Sequence, residues 1–119
     1  MWTHQLKPET LTLIERLARP EALSAFAARD EGTAEEQALL AIEPYLIATG
    51  ASQAHRQEYR WFARELLQIM RTAPADEITA CFELLIGKWA GFGLPSEILE
   101  LQTRAIITRL LSGSASNAQ

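Results

Sequence analysis

Prolines and glycines cut this sequence into stretches of helical length, and no stretch between them alternates apolar and polar residues as a strand would. That punctuation predicts an all-α chain. Pro8, Pro20, Pro74 and Pro95 each stand where a helix can open, because the first helical turn has N–H groups without internal partners and tolerates proline. Gly50 and Gly93 stand where a helix can close on a left-handed residue.

The apolar spacing fills in the segments. Leu11, Ile14 and Ala18 recur at intervals of three and four, which predicts a first helix from Pro8 to about Ala18. A short second helix follows Pro20 to about Ala28, closed by Asp30, Glu31 and Gly32. Thr33 and Glu36 have the spacing of a capping box, so a third helix is expected to open at Thr33. Its core stripe is Leu39, Ile42 and Leu46, and Pro44 should kink or split it.

Ser52 is the next N-cap, followed over 53–71 by the longest helical pattern in the chain. Pro74, Asp76 and Glu77 open a fifth helix running to about Ala90. Pro95, Ser96 and Glu97 open a sixth, running to about Leu111. The expected architecture is a compact bundle of five or six helices in one domain over 1–112, with 113–119 as a disordered polar tail. Gly50 and Gly93 lie 43 positions apart, within the ~40–47-residue period of helical solenoids. Residue identity across that offset is poor, and two stacked helical hairpins in a bundle give the same outline.

With 48% hydrophobic and 22% charged residues, a chain of 119 residues can build a core without disulfides or a structural metal. Cys81 is the only cysteine, so no intramolecular disulfide is possible. The opening MWTHQLKPET has neither a basic nor an apolar signal region, which leads us to expect the cytoplasm. The most apolar stretch, 78–94, is interrupted by Glu83 and Lys88 and falls short of the ~20 residues that span a bilayer. A net charge of -4 argues against a surface devoted to phosphates.

Helical geometry assigns the faces. The 53–71 helix puts Tyr59, Phe62, Ala63, Leu66, Leu67 and Met70 on its core side, with Arg56, Arg60, Arg64 and Arg71 along one flank. Trp61 points nearly opposite to the core, so either another segment covers it or it faces a partner. Trp and Arg are enriched among residues that dominate interface energetics, which makes Trp61, Arg60 and Arg64 the candidate partner-binding residues. The fifth helix carries Ala80, Gly87 and Ala90 on the reverse of its apolar face and is expected to be the central one. The sixth has an apolar arc wider than one core face needs, extended by Ile107 and Leu111, so either several helices surround it or part of it meets a partner chain; on the second reading Ile107 and Leu111 are assigned to self-association as a homodimer.

Chemistry has thin support. His4, His55 and Cys81 form no paired-cysteine motif and no two-histidine turn, so neither a metal nor a cofactor is predicted. Cys81 lies on the apolar face, where burial keeps a thiol inert. Glu97 and Glu100 are explained by the helix dipole alone, and GKWAGFG over 87–93 lacks the spacing of a phosphate loop. No catalytic residues emerge, and the chain reads as a protein-interaction module that self-associates rather than an enzyme. Two alternatives remain at this stage. One is a small-molecule site among the last three helices, lined by His55, Tyr59, Cys81 and Trp89. The other is nucleic-acid binding through the arginine stripe, which two acidic residues opening the sixth helix oppose.

Overall fold

The computed structural model describes residues 5–27, 31–48 and 53–117, and among these there are helices and no strands. The helices are α1 (Pro8–Leu17), α2 (Pro20–Ala27), α3 (Glu31–Ala48), α4 (Gln53–Thr72), α5 (Ile78–Gly91) and α6 (Ser96–Asn117). α3 packs along both α4 and α6, and α5 packs along the same two helices, so these four close into a ring. A solenoid would stack one hairpin on the next in an open array, whereas here α3 returns to α6. The fold is therefore an all-α bundle, with α1 and α2 lying against α6. Its radius of gyration, 13.6 Å, matches the ~13.5 Å expected for a folded domain of this length.

Local chemistry explains most boundaries. Pro8 opens α1 at its first position, as expected. α5 ends in a Schellman arrangement, with Gly93 at φ 103°, its N–H donating to the Ala90 carbonyl at 3.0 Å and the Leu94 N–H donating to that of Trp89 at 3.4 Å. Leu94 and Trp89 are both buried there, the apolar contact that usually accompanies this stop.

Four expectations need correction. α3 begins at Glu31, so Thr33 lies inside the first turn instead of capping it. α3 also runs unbroken through Pro44, which sits on the exposed side, where water can reach the Leu40 carbonyl that proline leaves without a donor. α5 opens at Ile78 after a turn over 75–77, and α6 runs to Asn117 instead of ending at about Leu111. No proline lies beyond Pro95 to stop that last stretch, and a single glycine costs a helix only ~1 kcal/mol. Asp30, Gly50 and Ser52 fall outside the described residues.

The centre of the bundle is α6, not α5. α6 packs against each of the other five helices, and Leu99, Ile106, Ile107 and Leu110 are buried along it. Ile107 is 0% exposed and Leu111 is half-buried against the core, so most of the wide apolar arc is consumed within the chain and Ile107 has no surface to offer a partner. The same burial extends to polar residues, namely Glu100, Gln102 and Thr103. Thr103 donates back to the Leu99 carbonyl at 2.8 Å, and Glu100 has partners in α1 (below).

Gln102 is different. It is 0% exposed, and among the described residues neither its amide oxygen nor its amide nitrogen has a hydrogen-bond partner. A buried polar group without partners costs about 1–3 kcal/mol. Gln102→Met has nearly the same shape and is expected to stabilise the fold by about 1–2 kcal/mol, or roughly 3–8 °C in Tm. Thermal and urea unfolding check this, and a loss of stability would mean that the amide has a bonded role.

Candidate functional site

The residue that most invites a binding role is Trp61, and the structure leaves it 47% exposed on the outer side of α4. No segment folds over it fully. Its ring lies 6.5 Å from that of Trp89, inclined at 36°, and Trp89 in turn meets Phe92 at 5.6 Å and 58°. Trp89 is 8% exposed and Phe92 68%, so a buried indole backs two exposed aromatic rings. Aromatic pairs in such tilted geometry are worth about 0.5–1.5 kcal/mol beyond the area they bury.

A carboxylate fixes the centre of this cluster. Glu65, one turn after Trp61 on α4, accepts the Trp89 indole N–H at 3.0 Å through one oxygen. Its other oxygen accepts from Lys88 Nζ at 2.9 Å. That ammonium also lies 5.5 Å from the centre of the Trp89 ring, within cation–π range. Trp89 is thus held by packing, by its polar edge and over its face. Leu84, one turn before Lys88 and 74% exposed, adds apolar surface to the same helix.

The arginine flank of α4 is largely occupied. Arg64 Nε donates to Glu35 of α3 at 2.6 Å, and Arg56 lies 3.7 Å from Glu43 of the same helix. The antiparallel register of α3 and α4 sets 35 against 64 and 43 against 56, which puts Leu39 opposite Arg60. Arg60 makes no ion pair among the described residues. Instead it lines an open pocket of about 460 Å³ with Glu35, Glu36, Leu39, Leu40 and Glu43.

The four residues proposed for a ligand pocket within the last three helices differ in burial. His55 is on the surface, 3.5 Å from Glu58, while Tyr59 and Trp89 are core residues and Cys81 is half-buried. Burial raises the Tyr59 pKa above the ordinary phenol value, and the neighbouring Glu58 charge pushes it the same way. The phenol therefore stays neutral and acts as a core side chain at physiological pH. Among the described residues no three His, Cys, Asp or Glu side chains converge as metal ligands, and no helix is long and apolar enough to cross a membrane.

Two sets of contacts escaped sequence reasoning. Glu65 had no motif to mark it as the partner of Trp89. Glu100, read as a helix-start carboxylate, is buried at the α1–α6 contact, where it accepts from the Lys7 N–H at 2.6 Å and the Thr10 hydroxyl at 2.8 Å. Glu83 of α5 accepts the Leu6 N–H at 3.1 Å beside it. No family model matches the chain, and no curated protein or solved structure shows a significant similarity to it.

Proposed function

We propose that this chain works by binding other proteins, and that the aromatic face of α4 and α5 is its docking surface. The observation that carries this reading is the pairing of half-exposed Trp61 with a buried, hydrogen-bonded Trp89. A large aromatic ring already held in place loses little conformational entropy on binding, which is the property of side chains that dominate interface energies. Phe92, in ring contact with Trp89, enlarges the apolar area, Leu84 adds exposed apolar surface on the same helix, and Lys88 supplies a polar edge. The lone Cys81 and lack of disulfides suit a reducing cytoplasm as the working compartment.

The alternatives have less behind them. A nucleic-acid surface needs free basic groups, and Arg56 and Arg64 are committed to glutamates of α3. A small-molecule site in the bundle needs a cavity at His55, Tyr59, Cys81 and Trp89, whereas the pocket described above is lined by residues of α3 and by Arg60.

Trp61→Ala tests the proposal. Removing a half-exposed ring should leave the helical circular dichroism intact and cost about 1–2 kcal/mol of stability. Capture of partners from a cell lysate by immobilised protein should fall at least about tenfold, as for an interface hot spot. Arg16→Ala, on the exposed side of α1, is the control and should capture as the wild type does. Equal capture by wild type and Trp61→Ala would remove the aromatic face as the docking surface, and unfolding would make Trp61 a core residue.

A further inference from the structure

We infer that the groove between α3 and α4 is a twofold interface at which two copies of this chain meet. Leu40 of each copy would seat in the other's concavity, and Glu36 of each would face the partner's Arg60. The inference rests on the reading of this chain as a protein-interaction module, but it concerns a different face from the aromatic one. It is proposed in place of Ile107, which is buried in the core, and Leu111, which is half-buried against it.

The arrangement of charges points to a second copy. Along the α3–α4 contact the outer rungs are closed by Glu35 with Arg64 and by Glu43 with Arg56. The middle rung sets Arg60 against Leu39, so one cation is left over, and Glu36 beside it is an anion with no ion pair among the described residues. A surface built for a nucleic acid or an acidic partner would carry one dominant sign. Charged groups that pair across a twofold axis must instead include both signs on the one patch, because each finds its complement on an identical patch. Arg60 and Glu36, both lining one concavity and both without an ion pair among the described residues, meet that condition.

Shape agrees with charge. The concavity of about 460 Å³ has Leu39 and Leu40 on its floor and rim. Leu40 is 50% exposed, so the same patch presents both a hole and an apolar knob beside it, as an isologous contact requires. Pro44 and Ile47, the latter 64% exposed, continue the apolar stripe one and two turns further along α3. Seating Leu40 in the partner's concavity would cover the Arg60 and Glu36 pairs from water and strengthen them.

Sedimentation velocity across a concentration series up to about 300 µM tests the inference, the top of the range being set by weak self-association. The wild type is expected to approach twice the chain mass. Leu40→Glu should stay monomeric with unchanged circular dichroism. Glu36→Arg and Arg60→Glu should each weaken the dimer by about tenfold or more, and the double variant carrying both changes should recover most of that loss, because the swap restores opposite charges across the axis. Trp61→Ala should dimerise as the wild type does, which separates this result from the fate of the aromatic docking face. A monomeric wild type over the whole range would overturn the inference. So would a dimer that survives Leu40→Glu, or a charge swap that fails to restore what its single changes lose.

Discussion

Trp89→Ala is expected to destabilise the protein by about 3–5 kcal/mol, the range for removing a large buried aromatic, and to lower Tm by roughly 10–20 °C. Trp61→Ala, on the neighbouring helix with its ring 6.5 Å from that of Trp89, is expected to cost about 1–2 kcal/mol. The contrast follows from exposure: 8% for Trp89 against 47% for Trp61. Truncating Trp89 opens a cavity between α4 and α5, removes the surface on which Trp61 and Phe92 lean, and strips Glu65 of its indole donor. Lys88 keeps its bond to Glu65, so the carboxylate is not left without a partner.

Trp89→Phe separates these contributions. It keeps most of the filling volume but loses the N–H donor to Glu65, and should cost about 1–3 kcal/mol. Urea unfolding of the three variants, read by circular dichroism, gives the ordering. At temperatures where Trp89→Ala is still folded, partner capture should nevertheless fall with it, because the ring that fixes Trp61 is gone. A Trp89→Ala variant no less stable than Trp61→Ala would show that the buried indole does not anchor this face.

The helices were legible because their punctuation is local. Pro8, Pro20 and Pro95 lie at or beside observed helix starts, and Gly93 takes the positive φ that ends α5. The exposure of Trp61 was legible too, since its angular position on a well-patterned helix sets it away from Phe62, Leu66 and Met70. What failed was the centre of the bundle. A helix whose buried side includes Glu100, Gln102 and Thr103 does not look central when polar residues are assumed to face water, yet α6 buries all three.

Pairings between helices were hidden for a related reason. The arginine flank of α4 stands out in the sequence, but nothing local says that Glu35 and Glu43 lie against it with Leu39 in between. Register between antiparallel helices depends on the side chains that interlock in the core, here with Ile42 and Leu46 on α3 and Phe62 and Leu66 on α4 all buried. The functional reading changes with it. An arginine stripe that could have met phosphates becomes a set of interhelical pairs with one cation to spare.

Glu100→Ala should have the second large effect on stability, about 2–4 kcal/mol, by unfastening α1 from α6. The first turn of a helix has N–H groups without internal acceptors and a partial positive charge. α1 opens at Pro8, and its N-cap Lys7 offers no capping side chain. Glu100 supplies the missing acceptor from a different helix, with the Lys7 N–H at 2.6 Å and the Thr10 hydroxyl at 2.8 Å from the same carboxylate oxygen. The carboxylate is 1% exposed, and hydrogen bonds to a charged group are worth about 1.5–3 kcal/mol each, with the two here sharing one acceptor and therefore not additive. Alanine would leave both donors without it, whereas Glu100→Gln keeps an oxygen in place and should lose roughly half as much.

Two measurements tie that loss to the α1 contact. Hydrogen exchange at the Lys7 amide should accelerate in Glu100→Ala far more than exchange in α4, because Glu83 alone then holds the segment through the Leu6 N–H. A double-mutant cycle with Thr10→Val should give a coupling of about 0.5–3 kcal/mol, as for groups in direct contact. A coupling of zero, with unchanged exchange at Lys7, would mean that α1 is held by its apolar side chains Ile14 and Leu17 and that the buried carboxylate serves no fastening role.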